Sequence, residues 1–350
     1  MTEITQTDLL SLYPEELQDF IVSLGEPKFR AGQIFPALHK GLTPFKMTNI
    51  SKATAEKIEA ALPCRMPEIE RKLVSAVDGT VKYLFRLHDG ECIESVLMRY
   101  NHGNTVCVST QVGCRMGCAF CASTIGGKIR DLSAGEILAQ VILAAADTGE
   151  RVSNIVLMGI GEPMDNYDNV VKFRHLISDE NGLNISQRNI TVSTCGIVPG
   201  IKKFAEEGLS VTLALSLHAP NDEVRKTLMP IAYKYSLSEI LPACKEYFEK
   251  TGRRLTFEYS LVQGVNDNLD EAKRLADLIK DMHGHVNLIP VNPIKERDYK
   301  QSNREAIEQF KNYLERKGIN VTVRREMGRD IGGACGQLRK SYLKKEEGEA

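Results

Sequence analysis

At 350 residues, 42% hydrophobic and 26% charged, the chain is long enough for one large core plus a small appended unit, and too apolar for intrinsic disorder over most of its length. Its net charge of −1 excludes a protein whose whole surface grips nucleic acid, while leaving room for a local basic face. The opening stretch MTEITQTDLLSLYPEELQDF has neither the basic flank nor the apolar core of a signal peptide, and no run approaches the roughly 18 apolar residues of a membrane span; a cytoplasmic protein with no membrane partner is expected.

Residues 1–68 read as short helices and carry Lys28, Arg30, His39 and Lys40, a candidate basic face. Residues 69–102, including KLVSAVDGTVKYLFRLHDGECIESVLMRY, alternate like a β-hairpin turned at Asp-Gly and form a linker. From Thr105 onward the predicted strands are TVCVST, NIVLMG, ITVST, SVTLALSL, RLTFEYSL, HVNLIPV and NVTVRRE. Longer amphipathic segments separate them, which implies βαβ units and a parallel sheet. Ser133 with Glu136, and Ser236 with Glu239, have the spacing of helix starts; Gly149, Gly252 and Gly318 sit where helices should end. Six or seven such units over residues 103–326 fit an α/β fold built as a partial (β/α)6 barrel, in which ligands sit at the carboxyl ends of strands. Further basic pairs are Arg253–Arg254, Arg324–Arg325 and Arg339–Lys340. Residues 327–350 are glycine-rich around Cys335 and then charged; Gly328, Gly332, Gly333 and Gly336 suit a mobile loop rather than a packed cysteine.

Nine cysteines in a cytosolic chain point to metal binding or catalysis rather than to structural disulfides. Cys114, Cys118 and Cys121 form C-x3-C-x2-C just after the first barrel strand. Three thiolates can hold three irons of a 4Fe-4S cubane and leave the fourth iron open to a small molecule. Zinc is the competing reading, but structural zinc wants four ligands, and no second cysteine pair lies nearby. Cys64, Cys92, Cys195 and Cys244 are expected in packing.

The C-x3-C-x2-C motif, with Phe120 before its last cysteine, resembles the signature of the radical S-adenosylmethionine (SAM) superfamily. That resemblance implies SAM contacts at Gly161 and Glu162 after the second barrel strand, Ser193 after the third, Ser216, Leu217 and His218 after the fourth, and Asn292 after the sixth. Cys107, Cys335, VSTQVGCRMGCAFC, GIGEPMDN, LALSLHAP, LIPVNP and GEPKFRAGQIF narrow it to the adenine-C2 methyltransferases of 23S rRNA and tRNA, the RlmN type. Departures are small: Ile160 stands where methionine is usual and Met164 where leucine is usual.

C2 of adenine is an electron-poor ring carbon that will not attack the SAM methyl in a polar transfer, whereas a carbon radical can add to it. The resemblance implies that Cys335 takes a methyl from one SAM and that the cluster cleaves a second to a 5′-deoxyadenosyl radical. This radical activates the methyl, the methylene adds to C2, and Cys107 releases the product by forming a transient disulfide with Cys335. Glu94 is implied as the proton acceptor at C2, although Glu91 lies close enough in sequence to serve. The base must leave its stack, so the implied substrates are protein-free or partly assembled 23S rRNA and the anticodon stem-loop of tRNA. The N-terminal helices would grip RNA, and an electron donor such as flavodoxin would supply the cluster. Two rivals remain: an adenine-C8 methyltransferase of the Cfr type, from which Pro163 and Pro293 lean away, and a non-catalytic zinc RNA-binding protein.

Overall fold

The computed structural model of the chain describes residues 8–292, 297–332 and 338. Pro293, Cys335, Arg339 and Lys340 lie outside the described residues. Three helices come first: α1 (Pro14–Ser23), α2 (Phe29–Leu38) and α3 (Lys52–Ala61). The antiparallel strands β1 (Glu68–Val74), β2 (Val81–Arg86) and β3 (Cys92–Tyr100) follow. Then come β4 (Gly103–Cys107), a small ribbon of β5 (Gln111–Gly113) with β6 (Lys128–Asp131), and α4 (Ala134–Thr148).

The barrel continues through β7 (Val152–Leu157), α5 (Tyr167–Ser178), β8 (Ile190–Thr194), α6 (Val198–Glu206) and β9 (Thr212–Ser216). After α7 (Asp222–Leu228) and α8 (Leu237–Thr251) come β10 (Leu255–Leu261), α9 (Leu269–Ile279), β11 (Gly284–Pro290), α10 (Arg304–Arg316) and β12 (Asn320–Val323). Strands β4, β7, β8, β9, β10, β11 and β12 pair in parallel, in chain order. Six β/α units and a closing seventh strand therefore make the expected partial barrel, with every strand pointing its carboxyl end the same way.

The expected helix starts are present. Ser133 Oγ accepts from the Glu136 amide at 3.0 Å and Glu136 Oε2 accepts from the Ser133 amide at 2.9 Å, a reciprocal cap worth about 1 kcal/mol. Gly149 and Gly252 end α4 and α8 in the left-handed conformation.

Two features differ from the sequence reading. The hairpin of residues 69–102 is no separate linker: β3 pairs antiparallel with β4, so β1–β3 extend the barrel sheet to ten strands among the described residues. The N-terminal helices also share the barrel's core, with Leu17, Ile21, Ile34, Phe35 and Leu38 buried in the same apolar cluster as α4 and α5. Among the described residues no helix is long and apolar enough to cross a membrane.

Candidate active site

A cavity of about 580 Å³ opens at the carboxyl ends of the parallel strands. Cys107, Cys114, Cys118, Cys121, Gly161, Glu162, Ser193, Ser216, His218 and Asn292 all line it, so one cavity gathers expected positions from most of the barrel's length. Leu217 lies behind the wall, fully buried.

The cysteine loop owes its shape to local bonds. The Cys114 amide donates to the Gly127 carbonyl at 3.0 Å, the Cys121 amide to the Cys118 carbonyl at 3.1 Å, and Thr124 Oγ1 to the Cys121 carbonyl at 2.9 Å. Gly113 enters the loop at φ 74°, where a Cβ would lie 1.9 Å from the Gly127 carbonyl oxygen; no other residue fits there. Burial pushes the Cys114 thiol up to about 12 and the Cys118 thiol upward too, and the neighbouring cysteines add to both shifts. Because Cys121 acts on both Cys114 and Cys118, and Cys114 on Cys118, the three thiols are near neighbours. Among the described residues no three His, Cys, Asp or Glu side chains converge on one point as a mononuclear ion requires. A cubane asks for something else, each thiolate on its own iron, and three cysteines facing one cavity fit that donor set.

Glu162 is buried beside the cluster loop. Its carboxylate accepts from the Met164 amide at 3.0 Å and the Cys195 amide at 2.8 Å, and its own amide donates to Gln111 Oε1 at 2.9 Å. Desolvation raises its pKa, and the two amides oppose that shift. This is a fixed, dry acceptor, suited to an ammonium group. Ser193 and Ser216 place their hydroxyls 3.3 Å apart at the ends of β8 and β9.

His218 has φ 56°, uncommon for a residue with a side chain. Asn266 Nδ2 fixes that turn by donating to the His218 carbonyl at 2.7 Å. The Ser260 amide donates to His218 Nδ1 at 2.9 Å, so the other ring nitrogen carries the hydrogen. Burial drives its pKa down to about 3, helped by the Arg225 charge, and the ring is a neutral donor edge-on to Phe120.

Cys107 ends β4, lines the cavity and packs with Val96, Met98, Met158 and Met327. Glu94 lies one pleat before Val96 on β3, fully buried and ion-paired with Lys82 at 3.0 Å. It is buried rather than solvent-facing, and it is not among the residues that line the cavity. Glu91, the other candidate base, sits in the β2–β3 turn.

Lys82 Nζ also donates to the Gly332 carbonyl at 2.8 Å. Gly332 belongs to a strap, residues 327–332, that is stitched to the β1–β2 turn. The Gly328 amide donates to Asp78 at 2.9 Å, and Asp330 accepts from Ser75 Oγ at 2.6 Å and the Ala76 amide at 2.9 Å. Leu338 packs on Leu84 and Cys92 of β2 and β3. Cys335 itself is outside the described residues, but the chain on both sides of it is anchored to the β2–β3 face above Glu94.

Three cavity residues escaped the sequence reading. Cys195, expected in packing, lines the cavity beside Glu162 and Cys118; its place two residues after Ser193 in a strand-end loop was the available signal. Glu258 and Ser260 project into the cavity from β10, and a Glu inside the apolar run RLTFEYSL was a usable hint. Arg324 and Arg325, a basic pair in the sequence, stand at the cavity wall. His39 leaves the basic face altogether: it is buried against Gly182, and desolvation lowers its pKa to about 4.

Residues 108–279 match the radical SAM superfamily and residues 7–62 the ribosomal RNA large subunit methyltransferase N-terminal domain. A probable dual-specificity RNA methyltransferase RlmN of Lachnospira eligens is 60% identical over 339 residues, covering 96% of this chain and 97% of the relative. The protein of the same description from Lachnoclostridium phytofermentans is 59% identical over 350 residues, covering 99% and 98%. The crystal structure of a radical SAM methyltransferase from Sphaerobacter thermophilus superposes with a TM-score of 0.91 at 42% identity, over 95% of this chain and 98% of that one.

Proposed function

This chain belongs to the RlmN-type radical SAM RNA methyltransferases, and from that membership we propose that it methylates C2 of one adenine in 23S rRNA and of the adenine 3′ of the anticodon in some tRNAs. One observation carries the reading: cluster loop, strand-end SAM positions and Cys107 face a single cavity whose rim holds the strap leading to Cys335. Cys114, Cys118 and Cys121 would hold the 4Fe-4S cluster, and Gly161, Glu162, Ser193, Ser216, Leu217, His218 and Asn292 would hold SAM. When bound, this pair supplies the methyl group and the carbon radical that an electron-poor ring carbon requires.

The remaining work falls to the chain. Cys335 accepts the methyl as a thioether, chemistry natural to a thiolate. Glu94 takes the C2 proton once the methylene carbon is attached; its burial with Lys82 holds it poised and dry. The adduct also gives up its unpaired electron to a one-electron acceptor. The Cys107 thiolate then attacks the Cys335 sulfur, and the carbon–sulfur bond breaks with its electron pair on the methylene carbon. That carbon takes back a proton to become the methyl as the base is freed, and a disulfide, later reopened by thiol reductants, is left behind. His218 and Glu162 offer SAM one fixed donor and one fixed acceptor.

RNA approaches across the N-terminal helices and the cavity mouth. Phe29 and Phe45 are 59% and 55% exposed, and Lys28, Arg30 and Lys46 adjoin them in sequence, with the Arg30 guanidinium over the Phe29 ring. Exposed aromatics among basic residues suit unstacked bases and phosphate. A low-potential one-electron donor such as flavodoxin supplies the cluster, in the cytoplasm where the substrates reside. The test is an anaerobic assay of rRNA and tRNA fragments with methyl-labelled SAM, followed by mass spectrometry that resolves 2-methyladenosine from 8-methyladenosine. Label only at C8, or a colourless zinc protein without product, overturns the assignment.

A further inference from the structure

Arg225 heads the fully buried side chains by size among the described residues. Its Nε donates to the Leu217 carbonyl at 3.2 Å and Nη2 to the Cys195 carbonyl at 2.6 Å, while Nη1 has no hydrogen-bond partner. Among the described residues no carboxylate pairs with it. The acid whose field reaches it, Asp222, uses Oδ1 to accept from the Leu237 amide at 2.9 Å. The other groups facing it are the thiols Cys118, Cys195 and Cys244 and the neutral ring of His218. Taking a lone guanidinium out of water is costly, and such a charge persists where something anionic answers it.

The helix that carries Arg225 is bonded to the cluster loop. The Ala119 amide donates to the Leu228 carbonyl at 2.8 Å, and Leu228 and Met229 pack with Met116, Cys118 and Phe120. Three thiolates outweigh the charge of an oxidised cubane, so the cluster is an anion and becomes more negative on reduction. We propose that Arg225 is the counter-charge of the iron–sulfur cluster, a buried positioning residue that favours cluster loading and eases its one-electron reduction. The inference rests on Cys114, Cys118 and Cys121 being the cluster ligands. In the step concerned, a low-potential donor gives one electron to the oxidised cluster, and the guanidinium offsets the added negative charge without a proton transfer.

A purely structural Arg225, needed only to tie the loops after β8 and β9 together, makes a different prediction. Arg225→Lys keeps the charge and Arg225→Gln keeps donors without it. In the anaerobically loaded, SAM-free proteins, a redox titration followed by electron paramagnetic resonance reads the cluster's midpoint. The Gln variant should be harder to reduce by about tenfold, or about 59 mV for a one-electron couple, with the Lys variant close to wild type. An unshifted Gln variant, or equal shifts in both, overturns the proposal.

Should the Gln variant hold no iron, thermal unfolding of Arg225→Met with and without the cluster decides. Loss of an uncompensated charge should leave the cluster-free protein as stable as wild type or more so, while the stabilisation gained on loading shrinks. A cluster-free Met variant that melts far below wild type, with that gain unchanged, would mean a scaffold role and overturn the counter-charge. Wild-type protein that takes up no iron and sulfide fails for another reason: the family reading itself would be wrong.

Discussion

Cys107 and Cys335 bear the same functional group and are assigned opposite ends of the reaction, so single substitutions should separate them. With Cys335→Ala no methyl should enter the protein and no RNA adduct should form. With Cys107→Ala the methyl still loads and the carbon still joins C2, so a covalent protein–RNA species carrying the SAM methyl carbon should accumulate and survive a denaturing gel. Normal turnover by Cys107→Ala would falsify the assignment. Replacing any one of Cys114, Cys118 or Cys121 by Ala should abolish 5′-deoxyadenosine formation, because the cubane loses a protein ligand; chromatography of the quenched reaction measures it. Glu94 sits at zero exposure against Lys82 and is not among the residues that line the cavity, so it is no surface charge, and its proposed role as proton acceptor needs its own test. Glu94→Gln preserves its shape, and it should lower methyl transfer by roughly 10²–10⁴ while SAM cleavage persists. Equal loss of both activities would point to a structural role instead.

The strap of residues 327–332 joins these side chains into a working element, since it leaves the barrel and leads to Cys335. Although desolvation acts against it, the Gly328 amide and the Thr80 and Ser75 donors hold the Asp78 carboxyl down to about 2, and Ser75 lowers that of Asp330. Both are depressed in the fold. The stability they contribute is therefore complete above the ordinary carboxyl range near 3.8 and is lost as pH falls from there towards 2. Hydrogen exchange of the strap should accelerate over that window, ahead of the α4 amides, whereas Asp78→Asn should exchange faster already at pH 7. The same variant should load cluster and cleave SAM normally yet methylate RNA poorly, because only the approach of Cys335 has been loosened. Unchanged exchange at residues 328–332 in Asp78→Asn would show that these hydrogen bonds do not hold the strap.

Across the whole molecule the N-terminal helices cover the barrel core and are the proposed RNA contact surface. Their apolar side chains complete the core over α4 and α5, so deleting residues 1–68 would expose that core, and surface substitutions are the cleaner probe of RNA binding. Lys28→Gln with Lys46→Gln should weaken RNA binding across sequences and reduce the salt slope of affinity by about 1 for each phosphate no longer neutralised, with melting temperature and SAM cleavage retained. An unchanged salt slope would place the RNA path elsewhere. Much of this was legible in the chain. Runs such as ITVST and RLTFEYSL, the Ser-Glu pairs at helix starts and C-x3-C-x2-C are local patterns, and local patterns are governed by backbone sterics, capping and ligand spacing, which neighbours in sequence already fix. What joins distant segments was not legible: β3 pairing with β4, His39 turning inward against Gly182, Cys195 facing the cavity, Glu94 buried under the strap, and Arg225 enclosed behind the cluster loop. Burial and partners of a charge depend on which segments fold across it, and only the tertiary structure decides that.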